Sequence, residues 1–194
     1  MNIVENGPSL DRKALIYLQI DDNPPAKAIA QELWATASRL ADKSYWIHLL
    51  TCDDFFDVFR PYAQESASIR RLLCTAQEVI LFAATIGPDI ENLSRRLMKK
   101  NEVFRGYVLD RIGSYLVEHE IRRLDKRLEV LYEERGWFCT RRFSPGYGDF
   151  PLEAQTVLVS LARDEFPVLE VTPAGFILPE KTVTAVKGVM TSPW

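Results

Sequence analysis

From Glu102 to Glu134 the chain contains no proline, and apolar residues recur at helical spacing along the whole stretch. One long helix accounts for it. Its apolar stripe changes sides part-way: Phe104, Val108, Ile112 and Tyr115 share one face, whereas Val117, Ile121, Leu124, Leu128 and Leu131 fall on roughly the opposite one. The middle of the helix is therefore contacted from two sides, and the rest of the fold must be arranged around it. At roughly 100° per residue, Asp110 and Ser114 lie on the side of Val117 and Ile121, with Glu118 at its margin. Three polar side chains thus line one approach to a buried face.

Other elements follow from period and punctuation. Leu10 to Ile20 reads as a helix with Ser9 as N-cap, and Pro25 to Leu40 as a second one, with proline in its first turn. Tyr45 to Leu50 reads as a strand. Thr51 to Glu65 mixes aromatics, acids and a proline and leaves helix, strand and loop open. Ser68 to Thr75 suggests a short helix, and Glu78 to Thr85 a continuous apolar run of the length and composition of a buried strand. Gly87-Pro88-Asp89 starts a helix to about Lys100. After the long helix, Trp137 to Arg142 reads as a strand, Ser144 to Gly148 as a tight turn, and Asp149 and Pro151 as the start of a helix to about Arg163. Val168 to Val171, Gly175 to Leu178 and Thr182 to Val189 are β-branched segments expected to give short strands. Helices and strands do not alternate strictly. The expectation is an α+β fold with a twisted, mostly antiparallel sheet flanked by helices. At 194 residues, 47% hydrophobic and 26% charged, the chain is sized for a single domain spanning 1–194.

Composition removes several function classes. Lys and Arg number 24 against 27 Asp and Glu, a net charge of −3, so there is no basic excess for nucleic acid. The start, Met1 to Gly7, lacks the pattern of a signal peptide and no apolar run is long enough to span a bilayer, so the expected location is cytoplasmic, with no membrane partner. Cys52, Cys74 and Cys139 form no CxxC pair and are expected to be buried thiols. His48 and His119 lack metal-ligand spacing, and His119 is expected on the helix surface. Trp34, Trp46 and Trp137 are expected in or at the rim of the core. GxSxG, P-loop and GxGxxG motifs are absent. Arg122 to Arg127 reads as a solvated helix face, although it is also a cationic cluster available to an acidic surface.

What remains is Arg142 to Tyr147, where a guanidinium, a hydroxyl, a flexible backbone and an aromatic ring fall within one turn. Arginine can hold a carboxylate, glycine lets a ligand approach the backbone, and a tyrosine face stacks on planar or cationic groups. The set suits a zwitterionic amino-acid ligand; the same residues also make an ordinary surface loop.

The run Arg142-Phe143-Ser144-Pro145-Gly146-Tyr147-Gly148-Asp149-Phe150-Pro151-Leu152-Glu153-Ala154-Gln155 resembles the activation domain of cobalamin-dependent methionine synthase, in its stand-alone branch, and contains the family's RxxxGY signature. Ala84 to Glu91, Leu109 to Ser114 and Leu178 to Val189 are similar to companion segments in the same order. The resemblance covers about Ser68 to Val189, with a fainter echo from Leu10 to Trp46. It implies binding of S-adenosylmethionine by Arg142 and Tyr147, with the backbone at Ser144 and Gly146 close by. In the fused enzyme an acid on the long helix joins the site; here that position is Ser114, with Glu118 one turn later. The implied activity is reductive methylation. Inactive cob(II)alamin on a partner, a methionine synthase or other corrinoid protein, takes one electron from a flavodoxin-type donor and a methyl group from S-adenosylmethionine. No catalytic side chain is implied, because position and in-line approach suffice. A second expectation is a non-catalytic cap or interaction module for a corrinoid methyltransferase, prompted by Ser114 at the acid position and the end of the sequence soon after the closing strand.

Overall fold

The computed structural model describes residues 8–192. In chain order the elements are α1 (Arg12–Leu18), α2 (Pro24–Leu40), β1 (Ser44–Thr51), α3 (Cys52–Val58), α4 (Arg60–Ala63), α5 (Ala67–Leu72), β2 (Glu78–Thr85), α6 (Asp89–Lys99), α7 (Val103–Glu133), β3 (Phe138–Cys139), α8 (Ala154–Ala162), β4 (Glu170–Val171), β5 (Ile177–Leu178) and β6 (Thr182–Met190). The class is α+β. Four strands form an antiparallel sheet in the order β1-β2-β6-β3, and β4 and β5 form a separate antiparallel pair.

The continuous apolar run of β2 is explained by burial on both faces. Val79, Leu81 and Ala83 join the core made with α3, α4, α5 and α8, through Phe55, Phe59, Ile69 and Leu158 among others. Ile80, Phe82 and Ala84 face α7 and meet its Ile121, Leu124 and Leu128. The first half of α7 turns elsewhere: Val108, Leu109, Ile112, Leu116 and Val117 close a third cluster with α1, α2 and α6. The switch of faces expected from the stripe is present, but it falls later than expected: Val117, assigned to the second stripe, packs in the first cluster. Phe104 and Leu131, at its two extremes, are nonetheless exposed, because they lie in the terminal turns, beyond the layers that α7 covers. Tyr115, also from the first stripe, is half-buried and packs edge-on to Tyr17, with ring centroids 5.2 Å apart.

Several expected boundaries shift for identifiable reasons. Asp11, not Ser9, caps α1 by accepting from the Ala14 N–H. The undecided segment 51–65 folds as α3 and α4, with Thr51 capping α3 through the Asp54 N–H and Pro61 in the first turn of α4. The helix expected from Asp149 begins only at Ala154, because the Asp149 carboxylate is used across the fold. It accepts from Ser66 Oγ at 2.7 Å, Ala67 N at 2.7 Å and Ser68 N at 3.1 Å, capping α5. The three cysteines are free, but only Cys52 and Cys139 are partly buried; Cys74 is exposed at the end of the α5 region. Trp46 is buried, Trp34 and Trp137 are half-buried, and Trp194 lies outside the described residues.

One buried charge ties sheet to helix. Lys187 on β6 is fully buried, with Nζ 2.5 Å from Asp125 Oδ1 and 2.9 Å from Glu129 Oε1, both on α7. The Arg122 to Arg127 run is largely neutralised by helix neighbours: Arg122 meets Glu118, Arg123 meets Glu120 and Lys126 meets Glu129. His119 lies partly exposed near Glu120. Among the described residues no helix is long and apolar enough to cross a membrane, and no group of three His, Cys, Asp or Glu is placed to hold a metal.

Candidate functional site

The strand expected over Trp137 to Arg142 is interrupted, and the interruption makes the site. Phe138 and Cys139 pair with Met190 and Val189, and Thr140 N donates to Gly188 O at 2.9 Å. The next contact is Phe143 with Val186, through reciprocal bonds of 2.9 and 2.8 Å. Between these points the β3 side advances one residue more than β6, which is a bulge at Arg141 and Arg142. Thr140 Oγ1 accepts the Gly188 N–H at 2.9 Å and so compensates for the disrupted ladder.

After Phe143 the chain leaves the sheet through a turn in which Tyr147 N donates to Ser144 O at 3.2 Å. Pro145 and Gly146 occupy its centre, and Gly146 has φ +86°, as the third position of a type II turn requires. Gly146 N donates to Phe150 O at 2.8 Å, whereas the Ser144 N–H has no partner among the described residues. This departure uncovers the beginning of β6. Backbone groups of a strand alternate between its two edges, so Thr182 and Thr184, in phase with Val186, present theirs to the opening.

A cleft of about 420 Å³ lies there, bounded by Arg141, Arg142, Ser144, Tyr147 and Gln155, by Thr182 to Thr184, and by Glu118 of α7. Arg142 Nη2 is 2.5 Å from Glu118 Oε1, and Arg122 Nε is 2.8 Å from the same oxygen. The Arg142 and Glu118 side chains are 24% and 25% exposed, so the pair is partly withdrawn from water yet open to a ligand. Past Glu118 and Tyr147 a second cleft of about 440 Å³ continues to Ser114, Glu180 and Lys181. Here Lys181 Nζ, almost buried, donates to Ser114 Oγ at 3.0 Å and pairs with Asp110 Oδ1 at 2.7 Å.

The sequence-derived residues are thus brought together unevenly. Arg142, Ser144, Tyr147 and Glu118 share the first cleft; Ser114 is in the second; Gly146 shapes the turn and stands in neither wall. Lys181 and the open edge of β6 were missed by sequence reasoning. Lys181 follows Glu180 at the start of an apolar strand and carries no local signal that it will reach a helix residue 67 positions away.

Chemically, the arrangement offers one cation and one anion in contact. Arg142 has further N–H donors for a carboxylate, and Glu118 Oε2 remains for an ammonium. The Tyr147 ring, 68% exposed at the rim, can stack on a planar or cationic group, and the β6 edge offers paired donors and acceptors.

No sequence-family profile matches the chain, and no curated protein matches it by sequence. Among solved structures it is similar to the crystal structure of the MetH reactivation domain bound to AdoHcy. The TM-score is 0.58 at 14% identity, over 91% of this chain and 70% of that one. The two share a fold.

Proposed function

We propose that this protein binds S-adenosylmethionine across the two joined clefts and presents it to a partner-bound cobalamin, supporting reductive methylation. The observation that carries the reading is the Arg142–Glu118 pair beside the RxxxGY turn, at the junction of the clefts. Arg142 would take the ligand carboxylate, Glu118 its ammonium, Tyr147 the cationic or planar part, and Ser144 with the edge at Thr182 and Thr184 the remaining polar groups. When bound, S-adenosylmethionine supplies a methyl group on a positively charged sulfur. The chain's own contribution is to hold and orient the donor and keep one side open. The cobalamin would be held by a methionine synthase or another corrinoid protein, with an electron donor of the flavodoxin type.

Calorimetric titration with S-adenosylmethionine and S-adenosylhomocysteine tests this, with the chain alone and with a corrinoid protein. Binding to the wild type and a loss of about 1.5–3 kcal/mol in Arg142→Ala are expected, the usual worth of a hydrogen bond to a charged group. Absence of binding under both conditions removes the proposal, and unchanged affinity in Arg142→Ala removes Arg142 from the site.

One observation favours a second reading, a non-catalytic cap for a corrinoid methyltransferase. The helix position at which the family's acid is expected carries Ser114, closed by Lys181 and Asp110. Capture of a corrinoid protein without methylation in a reconstituted reduction assay would select it.

A further inference from the structure

Among the described residues the sheet has a second unpaired edge, on the side away from the clefts. The Cys52 N–H donates to Gln77 O at 3.0 Å, immediately after the Thr51–Glu78 pair, so the even-numbered residues of β1 turn their backbone groups toward β2. Those of Tyr45, Ile47 and Leu49 therefore point away from the sheet. The same three residues pair with Ala84, Phe82 and Ile80, which form the core beneath α7, and so lie on the α7 face. Helix α7 reaches Tyr45, whose hydroxyl meets Glu120 and Arg123, but does not cover Ile47 and Leu49. Ile47 and Leu49 are left 47% and 46% exposed, and a groove of about 410 Å³ runs between β1 and the second half of α7, walled by Tyr45, Ile47, Leu128, Leu131, Arg123 and Arg127.

Among the described residues nothing blunts this edge. Over its eight residues β1 has no proline, glycine or lysine, and its register with β2 is unbroken. Exposed strands are normally kept from pairing by such interruptions. A straight free edge beside an apolar groove suits a strand added from outside, whose main chain pairs with the edge while its side chains fill the groove.

Charge selects the occupant. Among the described residues no acid lines the groove. Arg123 is held by Glu120 at 2.9 Å and by the Tyr45 hydroxyl at 2.5 Å, whereas Arg127 is exposed and has no ion pair among the described residues. A second copy paired through β1 would keep both α7 helices on one face and set Arg127 of each copy toward the other, with no acid between them. We propose that β1 docks an extended, acid-bearing apolar segment of a partner protein as a fifth strand, with apolar side chains on Ile47, Leu128 and Leu131 and a carboxylate on Arg127. This surface is on the edge opposite the clefts and leaves them open, so it does not depend on what they bind.

The test is residue-resolved amide exchange on the full chain. The probes are a synthetic valine–threonine repeat peptide carrying two glutamates among its valines and the same peptide with lysines. In the chain alone the Tyr45, Ile47 and Leu49 amides should exchange quickly. The glutamate peptide should slow them at least tenfold and the lysine peptide should not. Arg127→Glu should reverse that preference, and Ile47→Lys, at an exposed position, should abolish protection while the melting temperature stays near that of the wild type. No protection, or equal protection by both peptides, overturns the proposal. So does slow exchange in the chain alone: if it disappears on dilution the edge belongs to a second copy, and if it persists, to the chain itself.

Discussion

Arg142 and Glu118 come from segments 24 residues apart and neutralise one another. Glu118→Gln keeps the shape and removes the anion. If Glu118 takes the ligand's ammonium, S-adenosylmethionine and S-adenosylhomocysteine, which share that group, should lose similar affinity, about 1 kcal/mol for a partly exposed pair. A clearly larger loss for S-adenosylmethionine in a paired titration would place Glu118 at the sulfonium instead. Asp149, next to the turn, gives a prediction independent of any ligand. Hydrogen bonds from Ser66 and Ser68 hold its carboxyl far below the ordinary 3.8. A depressed value stabilises the fold above the unfolded-state pKa, and that contribution is lost as pH falls through the folded one. The melting temperature of the wild type should exceed that of Asp149→Asn by a steady margin from about pH 5 to 8, narrowing below about pH 4. A margin that persists in strong acid would contradict the linkage. At this scale the sequence was informative where chemistry is local: arginine, serine, glycine and tyrosine fall within one turn. The Lys181–Ser114 bond was illegible, because it depends on where β6 begins relative to α7.

Elements with long periods were legible and elements defined by their partners were not. The two faces of α7 and the apolar run of β2 could be read directly, since burial on one or both sides writes itself into the pattern. The bulge at Arg141 and Arg142 could not, because it is a mismatch against β6, and α3 and α4 are too short for a period to emerge. The α6–α7 packing gives the prediction that belongs here. A Cβ at Gly106 would come 2.6 Å from Met98 Cγ and 2.9 Å from the Ser94 carbonyl oxygen, and Ser94 Oγ donates to Gly106 O at 2.8 Å. Alanine would favour the helix by about 0.5–1 kcal/mol, but overpacking of this kind costs about 1–3 kcal/mol, and the contact with backbone leaves little room to yield. Gly106→Ala should therefore lower the urea midpoint without changing the slope. An unchanged or higher midpoint would mean that α6 moves away at little cost.

The whole molecule is three apolar clusters, two of them strung on α7. The cluster with α1, α2 and α6 holds Val108, Leu109, Ile112, Leu116 and Val117 of α7; the cluster beneath the sheet holds Ile121, Leu124 and Leu128; the third lies on the other face of β2. The Lys181–Asp110 pair and the Ile86 N–H to Lys181 carbonyl bond fasten the first of these to the sheet. If the α1, α2 and α6 layer opened alone, five buried α7 side chains would return to water. At about 1.5–3 kcal/mol each this is on the order of 10 kcal/mol, comparable to the ~5–15 kcal/mol that holds an entire domain folded. Separate opening is thus as costly as unfolding, and the chain should behave as a single domain. Trp34, Trp46 and Trp137 report on the three clusters separately. Variants keeping one of them, with the other two and Trp194 replaced by phenylalanine, should each give the same unfolding midpoint by fluorescence and by circular dichroism of that variant. An earlier fluorescence transition confined to Trp34 would divide the chain into two cooperative units and make the junction beside Glu118 a boundary between them.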